Sequence, residues 1–166
     1  MPTPIYDLIE EKVLSSAQAS VTFSSIPGTY KDLVVECIFA GFSASGNLLG
    51  IQFNGDTTTN YSGTGIIGNG TNATSSRYST VNRAPVVGFS NGTGTGLTTA
   101  FVQIMSYTST SVYKTTLARG NDSASQTEAA VGLWRKTPEA ITSLTLLLNG
   151  TVTISSGSTF RLWGIA

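Results

Sequence analysis

The sequence predicts an all-β protein: a single antiparallel β-sandwich or jelly roll of about eight to ten short strands. Three observations lead there. Short apolar runs with period-two alternation recur along the whole chain. Turn-forming residues separate them, drawn from 21 Ser, 25 Thr, 18 Gly and 9 Asn. The 166 residues show no break in composition, and that length suits one ordinary domain. A disordered chain of this polarity would lack the apolar runs.

The elements follow in order. IYDLIEEKVL carries Ile5, Leu8, Ile9 and Val13 at helical spacing, yet runs into SSAQASVTF without a capping glycine. Short helix, strand and extended arm all stay open for it, with strand favoured. The chain is therefore divided into residues 1–14, an N-terminal arm or first strand, and 15–166, the sandwich domain. SVTFSSI (20–26) alternates through Val21 and Phe23 and turns at Pro27-Gly28. DLVVECIFAG (32–41) is the clearest strand. Leu33, Val35, Cys37 and Phe39 form a wholly apolar face, and the opposite face is interrupted by Glu36.

LLGIQFNGD (48–56) reads as a strand ending in the Asn54-Gly55 turn dipeptide. Tyr61–Ile67 and Pro85–Phe89 are weaker strand candidates because glycine interrupts both. LTTAFVQIMSY (97–107) and VYKTTLARGND (112–122) read as a hairpin. EAAVGLWRK (128–136) and ITSLTLLLNG (141–150) flank Thr137-Pro138, and Thr151–Ile154 is a candidate continuation after another Asn-Gly turn. STFRLWGIA (158–166) closes the chain, with Phe160, Leu162 and Gly164 alternating against Arg161, Trp163 and Ile165.

Composition excludes several functions. Nine Lys+Arg balance nine Asp+Glu, and 11% of residues are charged, against roughly 25% in an ordinary domain. That is no electrostatic footprint for nucleic acid. No apolar run reaches membrane-spanning length, and MPTPIYDLIEEKVL lacks the basic and apolar regions of a secretory signal. The absence of histidine removes the commonest general base and the Ser–His and Cys–His pairs. Cys37 is the single cysteine, so it has no intramolecular disulfide partner. Within an apolar strand it reads as a small buried hydrophobe. No cofactor is expected.

Four other groups have site-forming chemistry. Asn54, Asp56 and Asn60 offer oxygen ligands to calcium, but without the spacing or terminal Glu of a helix–loop–helix calcium loop, so a hairpin turn is the favoured reading. Glu36 needs a cation such as Arg161 or Arg119 if buried, and no second carboxylate is spaced to make a glycosidase pair with it. Tyr61, Tyr78, Phe89, Tyr107, Tyr113, Trp134 and Trp163 are candidates for stacking on sugars. Trp134 and Trp163 sit in strong strand patterns and are assigned to core or subunit packing, whereas Tyr61 and Tyr78 fall in the loop region. Asn60, Asn69, Asn72, Asn91, Asn121 and Asn149 begin Asn-X-Ser/Thr triplets, which Asn-Gly turns produce by chance in this composition. A neutral surface with open strand edges suits a protein buried in an assembly, most often a closed oligomer.

Four segments carry a family resemblance: ASVTFSSIPGTYKDLVV (19–35), IQFNGDTTTNYSG (51–63), VGLWRKTPEAITSLTLL (131–147) and SGSTFRLWGIA (156–166). In this order they resemble small jelly-roll-like virion proteins of tailed bacteriophages, from about residue 5 to the end, with 64–96 matching least. The resemblance implies a capsid decoration (cement) protein or a part of a tail fibre or baseplate, made in the bacterial cytoplasm and carried on the virion surface. It brings no catalytic motif, so no enzyme activity is expected. With neither shaft nor attachment region beside the domain, decoration is favoured: a dimer or trimer bound to the major capsid protein or other virion proteins. The alternative is a tail tip that binds a host-surface carbohydrate. The contact candidates are Ile5, Tyr6, Leu8 and Ile9 of the arm and the loop tips around Tyr61 and Tyr78. No nucleic acid and no membrane is expected as a partner.

Overall fold

A computed structural model describes residues 5–45, 47–89, 98–122 and 126–166, with Phe89 described by its backbone. Among the described residues there is no helix. Twelve strands run β1 (Tyr6–Val13), β2 (Ser20–Phe23), β3 (Asp32–Phe39), β4 (Asn47–Phe53), β5 (Tyr61–Gly68) and β6 (Ala73–Val81). They continue as β7 (Ala84–Phe89), β8 (Thr98–Ile104), β9 (Lys114–Asn121), β10 (Thr127–Trp134), β11 (Leu144–Leu147) and β12 (Thr159–Ile165). Two antiparallel sheets form a β-sandwich, as the alternation predicts. The large sheet has the order β1-β12-β3-β8-β9-β10-β5-β6, and the small sheet β2-β11-β4-β7. The accessible surface of 8023 Å² is close to the roughly 7,800 Å² expected of a single packed domain of this mass.

The core lies between the sheets and follows the period-two pattern. Leu33, Val35, Cys37 and Phe39 of β3 are fully buried, as are Phe160 and Leu162 of β12. They face Phe23, Leu49, Ile51, Phe53, Leu144 and Leu146 of the small sheet. Phe39 meets Phe160 edge-on at 5.5 Å between ring centroids. Phe39 and Phe160 lie on the neighbouring strands β3 and β12, and an aromatic contact between adjacent strands of this kind adds to the area buried.

The N-terminal stretch is a strand. β1 pairs with β12 from Tyr6 opposite Ile165 to Val13 opposite Thr159, with a bulge between Leu8 and Glu10. The bulge explains the helix-like spacing of Ile5, Leu8, Ile9 and Val13, because one extra residue breaks strict alternation. Glycine interrupts neither β5 nor β7, and the glycines of β5 and β10 permit β7 to pass close above them. A Cβ at Gly63 would collide with the Pro85 ring, and one at Gly132 with Thr116 and Ala84.

Two expectations need correction. Thr151–Ile154 does not extend β11: Ile154 makes only isolated bridges to Gln18 and Phe42. Strand β6 was not anticipated. Its residues, ATSSRYSTV, are exposed or half-buried along their whole length, because the large sheet is wider than the small one and β6 lies at its edge. With no facing sheet to exclude water, no apolar alternation is needed.

Candidate functional site

The turn proposed for calcium is occupied by the chain itself. Asn54 and Gly55 both hold positive φ, 51° and 68°, and the Asp56 amide closes the turn on the Phe53 carbonyl at 2.9 Å. Asp56 Oδ1 accepts from the Thr58 amide and hydroxyl. Its Oδ2 accepts from Asn60 Nδ2 at 3.0 Å and from the buried Trp134 indole at 2.7 Å. Burial opposes ionisation, but the bonds from Thr58, Trp134 and Asn60 outweigh it and hold the carboxyl well below the usual range. Asn54 Oδ1 accepts from the Thr142 and Ser143 amides, and its Nδ2 donates to Glu139 and the Ala140 carbonyl. The cluster pins the β4–β5 turn to β10 and to residues 139–143. It is a structural lock rather than a cation loop.

Tyr61 is not at a loop tip. It opens β5 and is fully buried. Its hydroxyl donates to the Asp56 carbonyl and accepts from the Phe53 amide, each at 3.0 Å. The ring stacks on Trp134 at 6.2 Å and 15°. The inward alternation of β5 puts it there, so it cannot reach a partner. Tyr78 also lies in a strand, half-buried on β6 opposite Gly63. It leans toward the inner face, beside Glu128.

Glu128 on β10 was not singled out by sequence reasoning. It is buried, with Oε2 accepting from the Gly88 amide and Oε1 without a hydrogen-bond partner. Burial pushes its carboxyl up, opposed by the Gly88 bond. The strict alternation Glu128, Ala130, Gly132, Trp134 was the available signal that it points inward.

The arm candidates divide. Ile9 is half-buried against the core, and Ile5 precedes the strand at 69% exposed. Tyr6 and Leu8 stand on the outer face of the large sheet, 50% and 49% exposed. They have company there. Leu8 is in register with Trp163, and Trp163 with Val34. Tyr6, Trp163 and Phe101 surround Val34 and Glu36 in a cleft of about 330 Å³. Glu36 accepts from Arg161 at 3.2 Å, the cation anticipated for it, and Arg161 also binds Glu11. Arg119 instead lies over the Phe101 ring, 4.4 Å from its centroid.

Across the same face, Leu117, Val131 and Ile66 are 45%, 52% and 59% exposed. Small Ser62 and Thr64 on β5 leave a second groove of about 460 Å³, walled by Arg77, Val131 and Leu133. Together with Tyr6 and Leu8, the residues Leu117, Val131 and Ile66 expose apolar side chains in both halves of the outer face of the large sheet. No group of three metal-ligating side chains comes together among the described residues. Cys37 is buried, and burial, then the nearby Glu36 charge, push its thiol up, away from the reactive thiolate.

No protein-family profile and no curated protein matches the sequence. Among solved structures, a galectin of Caenorhabditis elegans, LEC-6, is similar at 11% identity over 94% of this chain and 95% of its own, with a TM-score of 0.38. Scytalido-glutamic peptidase is similar at 11% identity over 87% of this chain and 74% of its own, TM-score 0.35. A protein of unknown function from Shewanella oneidensis is similar at 14% identity over 96% and 75%, TM-score 0.34. No residue role and no activity passes across likenesses of this size.

Proposed function

We propose that this chain is a structural protein of a bacteriophage particle: a decoration protein that binds the outer shell as an oligomer and stabilises it through contact area, without catalysis. The observation that carries the reading is the open apolar face of the large sheet, on a chain in which only 11% of residues are charged. Such a face gains free energy when covered, at roughly 25 cal/mol per Å² of apolar surface removed from water. The order of the segments that resemble phage virion proteins supplies the kind of assembly, and the major capsid protein is the partner it implies.

The test is the copy number per purified phage particle, measured by quantitative mass spectrometry against the major capsid protein. The expected result is one copy per capsid subunit, or a simple fraction of that. A handful of copies would move the protein to the tail. Absence from particles would overturn the reading.

A second reading, binding of a host-surface carbohydrate by a tail tip, has one observation in its favour. The cleft of Tyr6, Trp163 and Phe101 around Glu36 combines aromatic walls with a carboxylate acceptor, the chemistry that recognises a sugar ring.

A further inference from the structure

We infer that the outer face of the eight-stranded sheet is where two copies of this chain meet, sheet on sheet, about a two-fold axis running along the strands between β8 and β9. The inference deepens the assembly reading above and rests on it only for the expectation of an oligomer.

Size comes first. Eight strands at about 4.8 Å spacing span about 34 Å, and strands of this length run about 24 Å, so the face covers roughly 800 Å². A standard stable interface buries about 800 Å² on each partner, so a second copy would suffice to cover it. The apolar residues lie in both halves of the sheet, not in one pocket. Tyr6, Leu8 and the half-buried Trp163 hold one side, and Leu117, Val131 and Ile66 the other. A glycan in the Tyr6–Trp163–Phe101 cleft would leave the second half bare.

Charge then selects the symmetry. On the half formed by β1, β12 and β3, Glu11 and Glu36 share the single cation Arg161. On the half formed by β9, β10, β5 and β6, the described outward residues include Arg119 and Arg77 and no acid. A two-fold axis along the strands lays each half on the opposite half of the partner. An axis across the strands would set like on like. Either axis keeps the strand lines of the two faces roughly aligned, the commoner way for sheets to stack, so charge decides between them.

Shape agrees. The operation brings β12 over the partner's β5 and β1 over its β6, by the order of strands in the sheet. Trp163 and Leu8 therefore come down on the groove that Ser62, Thr64, Arg77 and Val131 leave open. By register Leu8 comes over Arg77 and Glu11 over Ser75, one residue pair away and within reach of the long Arg77 side chain, and the contact occurs twice, as an isologous dimer requires.

The experiment is sedimentation velocity on the full chain from about 1 µM to about 100 µM, a range that brackets micromolar dissociation constants. The wild type is expected to dimerise within it. Leu117→Glu with Val131→Glu should weaken the dimer at least tenfold. Both side chains are about half exposed, so the variant is expected to fold, checked by an unchanged thermal transition measured at low concentration. Arg77→Glu should weaken the dimer several-fold, and adding Glu11→Arg should restore it.

A wild type that stays monomeric, a dimer indifferent to Leu117→Glu with Val131→Glu, or no recovery in the double swap would overturn the inference. A monomer whose glycan binding is lost in Trp163→Ala would overturn it in favour of a sugar site. Particle occupancy is read separately. Normal copy number with a monomeric free protein overturns the dimer face and leaves the decoration reading standing. A dimer absent from particles supports this inference and removes that reading.

Discussion

Four donors converge on Asp56, and one of them, the Trp134 indole, is buried. Removing the acceptor strands those donors, at about 1–3 kcal/mol for a buried one. Asp56→Ala is therefore expected to lower unfolding stability by about 3 kcal/mol in urea titrations. The pH dependence follows from the lowered carboxyl. Its stabilisation is present above the unfolded value near 4 and is lost as pH falls through the folded one. Asp56→Asn should thus flatten the acid limb of the stability curve. Glu128 has the opposite sign. Its raised carboxyl favours the protonated form, so its contribution is complete at acid pH and lost as pH rises through the folded value. Glu128→Gln should gain about 1 kcal/mol over the wild type at pH 8 and nothing at pH 4, read from melting at both.

The strands test how far local pattern decides structure. β3 and β12 are legible in the sequence to within two residues at each end, because each buries one apolar face against the small sheet. β6 was not, since an edge strand beyond the facing sheet can be polar on both sides. Glycine makes β5 and β7 weak strands by sequence alone, though Gly63 is the residue that lets Pro85 approach. Gly132→Ala should accordingly cost about 2 kcal/mol, typical of overpacking a tight contact. The misplacement of Tyr61 has a related cause. The polar segment around it resembles a loop, and only the β10 ladder, with Trp134 opposite Tyr61, turns its ring inward. β1 was open between arm, helix and strand. Paired with β12 along its whole length, it covers that strand's edge. Deleting residues 1–12 should therefore lower stability and promote edge-to-edge aggregation, visible by light scattering, rather than release a detachable arm.

For the molecule as a whole, the open face and the sparse, balanced charge act together. Little electrostatic repulsion opposes association, and the apolar residues in both halves of the large sheet favour it. If two copies share that face, unfolding is coupled to dissociation, so the melting temperature should rise with protein concentration. A melting temperature constant over a hundredfold dilution from about 100 µM would place every expected gain elsewhere.

Local sequence carried the fold class, the core faces of β3 and β12 and the Asn54-Gly55 turn, because period-two alternation and turn chemistry act over a few residues. Tertiary structure decided what lies between strands distant in the chain. It buried Tyr61, enclosed Glu128 under Gly88, closed the Asp56 cluster around Trp134, and set Leu8, Trp163, Leu117 and Val131 on one surface. Those outcomes depend on strand order and on the unequal widths of the two sheets, which no local pattern encodes.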